Sequence, residues 1–212
     1  MRASSSAMPI LHPEDFEPRP APPGGGRGKR MRRRLTMTVA EYQRTPKTVL
    51  PQELIFGHLE AHDAPTVSHQ RIVIALTIAL HEYTRAHGGE VLVAPTDVVL
   101  DERRALVLQP DLLYVGPSGP AIIADRVEGP PNLVVEVLSP YPRIGRLDER
   151  LRWFSSYGVQ EIWLYHQIAR CMDVLYCAGG GIFRTARFDA ITPIESGVLP
   201  HFDRLMTSLI GR

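Results

Sequence analysis

Two short runs place acidic residues where they could do chemistry. Gln109-Pro-Asp-Leu-Leu-Tyr-Val115 and Leu133-Val-Val-Glu-Val-Leu-Ser-Pro140 each set one carboxylate in an otherwise apolar, β-prone segment. An ionised carboxylate among Leu and Val side chains must be paired, protonated or bound to a metal, because an uncompensated charge in apolar surroundings is costly. Asp111 and Glu136 are therefore candidate site residues. For each taken alone a plainer reading stands beside this one, with Asp111 as the turn half of a Pro-Asp pair and Glu136 on a solvated strand face.

Other residues with chemical potential read as structural. His58 and His62 are spaced i, i+4, but Gly57 and the strand-like run before it argue against a shared helix face, so they read as surface histidines. His69 lies just inside a long helical pattern and reads as a buried structural histidine. Ser139-Pro140 ends a strand with a turn and lacks the context of a serine nucleophile. Glu161 and Trp163 read as packing residues near the site. Gly24-Gly-Gly26 and Gly179-Gly-Gly181 do not lie between a strand and a helix, which argues against a phosphate-cradling nucleotide loop.

The elements that must position these residues follow from periodicity and turn chemistry. A brief helix is expected over 39–44, then a hairpin around Gly57. Ser68 reads as the N-cap of a helix whose stripe Ile72, Leu76, Ala79, Leu80 and Tyr83 ends at Gly88-Gly89. Runs at 91–94, 97–100, 105–115 and 133–138 read as strands of one sheet. A helix over 147–157, stopped at Gly158, leads to a strand at 161–165, so the end of the sheet is built with a crossover helix. Segments 172–176 and 181–188 form a closing hairpin. The class is mixed α/β.

Composition sets the frame. The 212 residues suffice for one domain with a real core, and 44% hydrophobic with 22% charged residues is ordinary for a globular protein. Residues 1–36 combine Pro18 to Pro23, Gly24-Gly-Gly26 and the cluster Arg27, Lys29, Arg30, Arg32, Arg33, Arg34, which predicts a disordered tail ahead of a domain over 37–212. A translation start at Met31 or Met37 is an alternative to a native tail. The net charge of +1 does not by itself mark a nucleic-acid binder. The apolar run 72–80 is too short for a membrane span, which takes roughly 20 residues, and no signal peptide is evident, so a cytoplasmic, non-membrane protein is expected. Cys171 and Cys177 flank a strand that would hold them roughly 20 Å apart, so they are expected to be free thiols.

The motif runs, with Glu53-Leu-Ile-Phe-Gly57, Ser68-His69-Gln70 and Tyr157-Gly-Val-Gln-Glu-Ile-Trp-Leu164 in the same order, resemble the Uma2 (DUF820) family of the PD-(D/E)xK nuclease superfamily over residue 39 to the C-terminus. The resemblance implies a restriction-endonuclease-like core, a mixed β-sheet flanked by helices, with acidic residues on adjacent strands. It implies a metal-dependent endonuclease acting on DNA, with Asp111, Glu136 and the Val137 carbonyl binding Mg²⁺, for which Mn²⁺ would substitute. It places Glu53 as a third carboxylate and His69 as a residue that lines the site. The superfamily's lysine position, two after the second acid, is here Leu138. Alignment back from Gly158 puts Arg150 where Uma2-like chains carry a lysine on the following helix, with a solvated arginine paired to Asp148 or Glu149 as the other reading. Lys29 and Lys47 are the only lysines, and arginine does not act as a general base. The alternative is a catalytically degenerate relative that binds nucleic acid or protein. A homodimer would suit cleavage of both strands.

Overall fold

The computed structural model describes residues 36–46, 51–139 and 144–205. Residues 1–35, which make up all of the expected tail but Thr36, and residues 47–50, 140–143 and 206–212 lie outside them. Thr38 opens the first helix, α1 (Val39–Arg44), with a reciprocal cap in which its hydroxyl accepts from the Glu41 amide and the Glu41 carboxylate returns to the Thr38 amide. The hairpin β1 (Gln52–Ile55) and β2 (His58–Ala61) turns through Phe56 and Gly57, both at positive φ. Helix α2 (Val67–His87) follows. Its N-cap is Thr66, not Ser68, because the Thr66 hydroxyl accepts from the His69 amide, while Ser68 sits in the first turn and donates to Gln167.

The expected single sheet is two. In order across the first lie β2, β1, β5 (Leu106–Leu108), β4 (Val98–Asp101), β8 (Val127–Glu128) and β7 (Ile122–Ile123). The second runs β12 (Gly181–Phe188), β11 (Cys171–Ala178), β10 (Glu161–His166), β9 (Leu133–Leu138), β6 (Leu112–Val115) and β3 (Glu90–Val93). Both sheets are mixed. β9 and β10 are parallel neighbours joined through helix α3 (Ile144–Ser156), as the crossover reading requires.

The strand expected over 105–115 is broken because it serves both sheets. β5 pairs in the first and β6 in the second, and the chain changes partners at Gln109-Pro110-Asp111. Pro110 has no amide proton to donate to a ladder. The Gln109 amide donates instead to a side chain, Glu53 Oε1 at 2.6 Å. Asp111 therefore sits at the junction of the two sheets.

Alternation assigns the faces. Leu133, Val135 and Val137 of β9 pack with Leu76 and Leu80 of α2, while Val134 and Leu138 join Leu106 and Leu108 of the first sheet and Leu151 and Phe154 of α3. The second sheet is thus covered by α2 on one face and by α3 with the first sheet on the other. Glu136, between Val134 and Leu138, is directed into the second of these layers.

Candidate active site

Glu53, Asp111, Glu136 and Arg150 come from four elements and meet where the two sheets join. The β6/β9 register pairs Leu112 with Val135, so one step further sets Asp111 opposite Glu136. Asp111 Oδ2 accepts from the Val137 amide at 2.7 Å and lies 3.1 Å from His69 Nε2 on α2. Glu53, at the centre of β1, is 2% exposed.

Arg150 joins the acids. Its Nε donates to Glu136 Oε1 at 2.7 Å, its Nη1 to both oxygens of Glu53 at 2.7 and 2.8 Å, and its Nη2 to the Gln109 carbonyl at 3.1 Å. The guanidinium carbon stands 5.2 Å from the centre of the Phe154 ring, one helical turn on. This is a buried bridging arginine, not a solvated one paired with Asp148 or Glu149. The planar fork suits the task, since a single ammonium could not address two carboxylates and a carbonyl in this geometry.

The electrostatics follow from two carboxylates on one guanidinium, with Asp111 beside Glu136. For Glu53, burial pushes the pKa upward, but the Arg150 charge and the hydrogen bonds from His62 and Gln109 outweigh it and hold the carboxyl at about 2. Glu136 goes the other way, because burial and the nearby Asp111 charge exceed the pull of Arg150 and raise it to about 7. His69 is raised by its hydrogen bond to Asp111 against the effect of burial, and the Glu136 charge adds to this. The acids thus share the Arg150 guanidinium and favour the protonated forms of His62 and His69.

His62, read from the sequence as a surface histidine, is exposed yet reaches the cluster. Its Nε2 lies 2.9 Å from Glu53 Oε2, and that contact raises its pKa. The signal was present in the hairpin: a turn at Phe56-Gly57 pairs Glu53 with Glu60, which makes His62 the diagonal neighbour of Glu53 on the same face. Asp97 was also missed. It accepts from the Gln109 side chain at 2.8 Å and lies 2.9 Å from the Tyr42 hydroxyl, so it secures the segment leading into Asp111. Glu161 and Trp163, expected near the site, lie elsewhere. Glu161 is three residues before Leu164, the β10 partner of Glu136, and alternation sets it on the α2 face, where it accepts from Trp163 Nε1, Ser196 Oγ and the Gly197 amide.

A family profile described as "Uma2: Putative restriction endonuclease" matches residues 39–201. The chain belongs to the Uma2 family. Among solved structures, a putative nuclease of DUF820 from Anabaena variabilis ATCC 29413 superposes with a TM-score of 0.69 at 16% identity, covering 82% of this chain and 97% of that one. At that identity the likeness establishes the shared fold, mixed α/β with helices flanking the sheets. No curated protein matches. The Uma2 match spans the acidic cluster from Glu53 to Arg150. No helix among the described residues is long and apolar enough to cross a membrane.

A divalent cation fits the donor set of this Uma2 chain. Glu136 Oε2 and Asp111 Oδ1 have no hydrogen bond among the described residues, and both are hard oxygen donors on facing strands. Magnesium is commonly held by one or two carboxylates with water completing its shell. No group of three or more His, Cys, Asp and Glu side chains among the described residues is arranged to hold a metal ion. Both Glu53 oxygens are committed to Arg150, with His62 and the Gln109 amide as further partners, which leaves it placed to anchor the arginine rather than to offer a ligand oxygen.

Proposed function

We propose that this Uma2 chain is a metal-dependent endonuclease that hydrolyses DNA phosphodiester bonds. The observation that carries the reading is the apposition of Asp111 and Glu136 at the sheet junction, each with a free oxygen, beside a guanidinium fixed by Glu53. Asp111, Glu136 and the Val137 carbonyl would hold Mg²⁺ or Mn²⁺. When bound, the ion supplies Lewis-acid activation of water and charge neutralisation at phosphorus.

The chain's own residues do the rest. Arg150 remains protonated throughout, so it serves by orienting Glu136 and by offsetting negative charge that develops near it. Glu53, with His62 and Gln109 behind it, fixes the arginine. His69 holds Asp111 through Oδ2 and so directs its other oxygen away from the protein's hydrogen bonds. The second reading, a nucleic-acid or protein binding module on the same fold, is motivated by Leu138, which is buried and apolar at the place nearest Glu136 on its own strand face.

The test is nicking of supercoiled plasmid in Mg²⁺ or Mn²⁺ by wild type, Asp111→Ala and Glu136→Ala purified identically. Loss of nicking in both variants supports the endonuclease. Metal binding by wild type without nicking supports the binding module.

A further inference from the structure

In the endonuclease reading the free oxygens of Asp111 and Glu136 are taken up by the metal, which leaves the proton acceptor to be found among the basic residues nearby. Arg150 stays charged, His62 meets the cluster through Glu53, which Arg150 separates from Glu136, and His69 Nε2 is engaged with Asp111 while its Nδ1 is buried without a partner. One other imidazole shares the face on which Glu136 lies.

The sheet register locates it. Read across the α3-facing side of the second sheet, Asp111, Glu136, Leu164, Asp173 and Arg187 form one row, because Glu136 pairs with Leu164, Leu164 with Asp173, and Asp173 with Arg187. In the next row His166 pairs with Leu138. Alternation along β10, with Ile162 and Leu164 packed in the α3-side layer, directs His166 to that same side. Strand spacing and rise put the His166 and Glu136 Cα atoms roughly 8 Å apart on the same face of the sheet.

The ring is also oriented. His166 Nε2 lies 2.8 Å from Asp173 Oδ2, and Arg187 fixes that carboxylate with Nε on Oδ1 at 2.6 Å and Nη2 on Oδ2 at 2.7 Å. A carboxylate only accepts, so Nε2 carries the proton and Nδ1 of the neutral ring carries the lone pair. Nδ1 has no hydrogen-bond partner among the described residues, and the side chain is 29% exposed. Next to it the Gln167 amide donates to the Leu138 carbonyl, tying the ends of β9 and β10 together.

We propose that His166, held by Asp173 and Arg187, is the general base of the hydrolysis, an assignment that rests on the endonuclease reading. Nδ1 takes a proton from the attacking water as the water oxygen bonds to phosphorus. The bond from phosphorus to the leaving ester oxygen then breaks, and that oxygen takes a proton from solvent. A base placed on the neighbouring strand accounts for how Leu138 can be apolar in a working site.

The experiment compares plasmid nicking by wild type, Glu136→Gln, His166→Ala and His166→Asn, each with and without added imidazole. The expected result is a fall on the order of 100-fold or more for both His166 variants, with His166→Ala partly restored by imidazole and Glu136→Gln not restored. Melting curves verify folding, and His166→Asn keeps a donor for Asp173 without supplying a base, so it carries the test if the alanine variant fails to fold. Wild-type nicking that depends on Glu136 but survives both His166 substitutions overturns the assignment alone. So does a loss in folded His166→Ala that imidazole leaves unchanged. Absence of nicking by wild type overturns the endonuclease reading and His166's role with it.

Discussion

Replacing Arg150 with Met tests whether the site is held by a buried ionic bridge. The substitution keeps most of the aliphatic stem against Phe154 but removes every donor to Glu53, Glu136 and the Gln109 carbonyl. Two buried carboxylates are then left facing each other. Breaking a buried pair by deleting one partner costs about 3–5 kcal/mol, much of it the penalty of the orphaned charge. In a domain of this size that corresponds to a fall in Tm on the order of 10 °C. Arg150→Lys keeps the charge but loses the fork, and a loss of about 2 kcal/mol is expected for the hydrogen bonds to charged groups that a lysine cannot remake. Adding Glu53→Gln to Arg150→Met removes one orphaned charge and should recover part of the loss, giving a coupling of about 1–3 kcal/mol in a double-mutant cycle. Urea unfolding followed by circular dichroism in EDTA measures the wild type, both Arg150 variants, Glu53→Gln and the double variant, and repeating it at high salt separates a buried pair from a screened one. A loss below about 1 kcal/mol for Arg150→Met, or one that high salt abolishes, refutes the argument that this bridge is desolvated and structural.

Three further expectations follow from the same geometry. Without metal, stability should be greatest near the ordinary carboxylate range. Glu136, raised to about 7, makes the folded state bind an extra proton, so its contribution is lost as pH rises from 4.5 to 7, whereas Glu53, lowered to about 2, contributes stability that is lost as pH falls from 4.5 toward 2. Each branch is worth roughly 3 kcal/mol, and Glu136→Gln should flatten the upper one in thermal melts across pH, with an unchanged slope counting against the burial of that carboxyl. Gly57→Ala forces a side chain onto φ +81°, with its Cβ 2.9 Å from Thr36 Cβ and 3.1 Å from the Met37 carbonyl oxygen. A loss of about 1–3 kcal/mol is expected, and an unaffected melting temperature would mean the turn relaxes freely. Cys171 and Cys177 are buried, with the Cys177 thiol pushed up to about 12 by burial and the Glu161 charge. Both should resist a thiol reagent until the protein unfolds, and rapid labelling of the native state would contradict their packing.

Much of the local architecture was legible from residue type and spacing. Leu133–Leu138 is a strand between turn residues, the stripe from Ile72 to Tyr83 is one face of a helix, and a helix leading from β9 to a second strand makes those strands parallel. The carboxylates of Asp111 and Glu136 were conspicuous because apolar neighbours leave a charge without water. These are statements about near neighbours along the chain, where periodicity and side-chain chemistry act directly.

The partners of those carboxylates depended on which strands meet. Nothing in the run from Ala105 to Val115 says that its first half joins one sheet and its second half another, although Pro110 marks where the ladder must fail. That hand-off brings Glu53 to Arg150 across 97 positions and Asp111 to His69 across 42. Likewise, His166 and Glu136 share a face only because β9 and β10 pair in one register. By itself the sequence determined which segments bury apolar surface and which charges would then need compensation. The tertiary structure alone decided which side chain provides it, since pairing between distant strands is selected by packing of the whole core and not by any local preference.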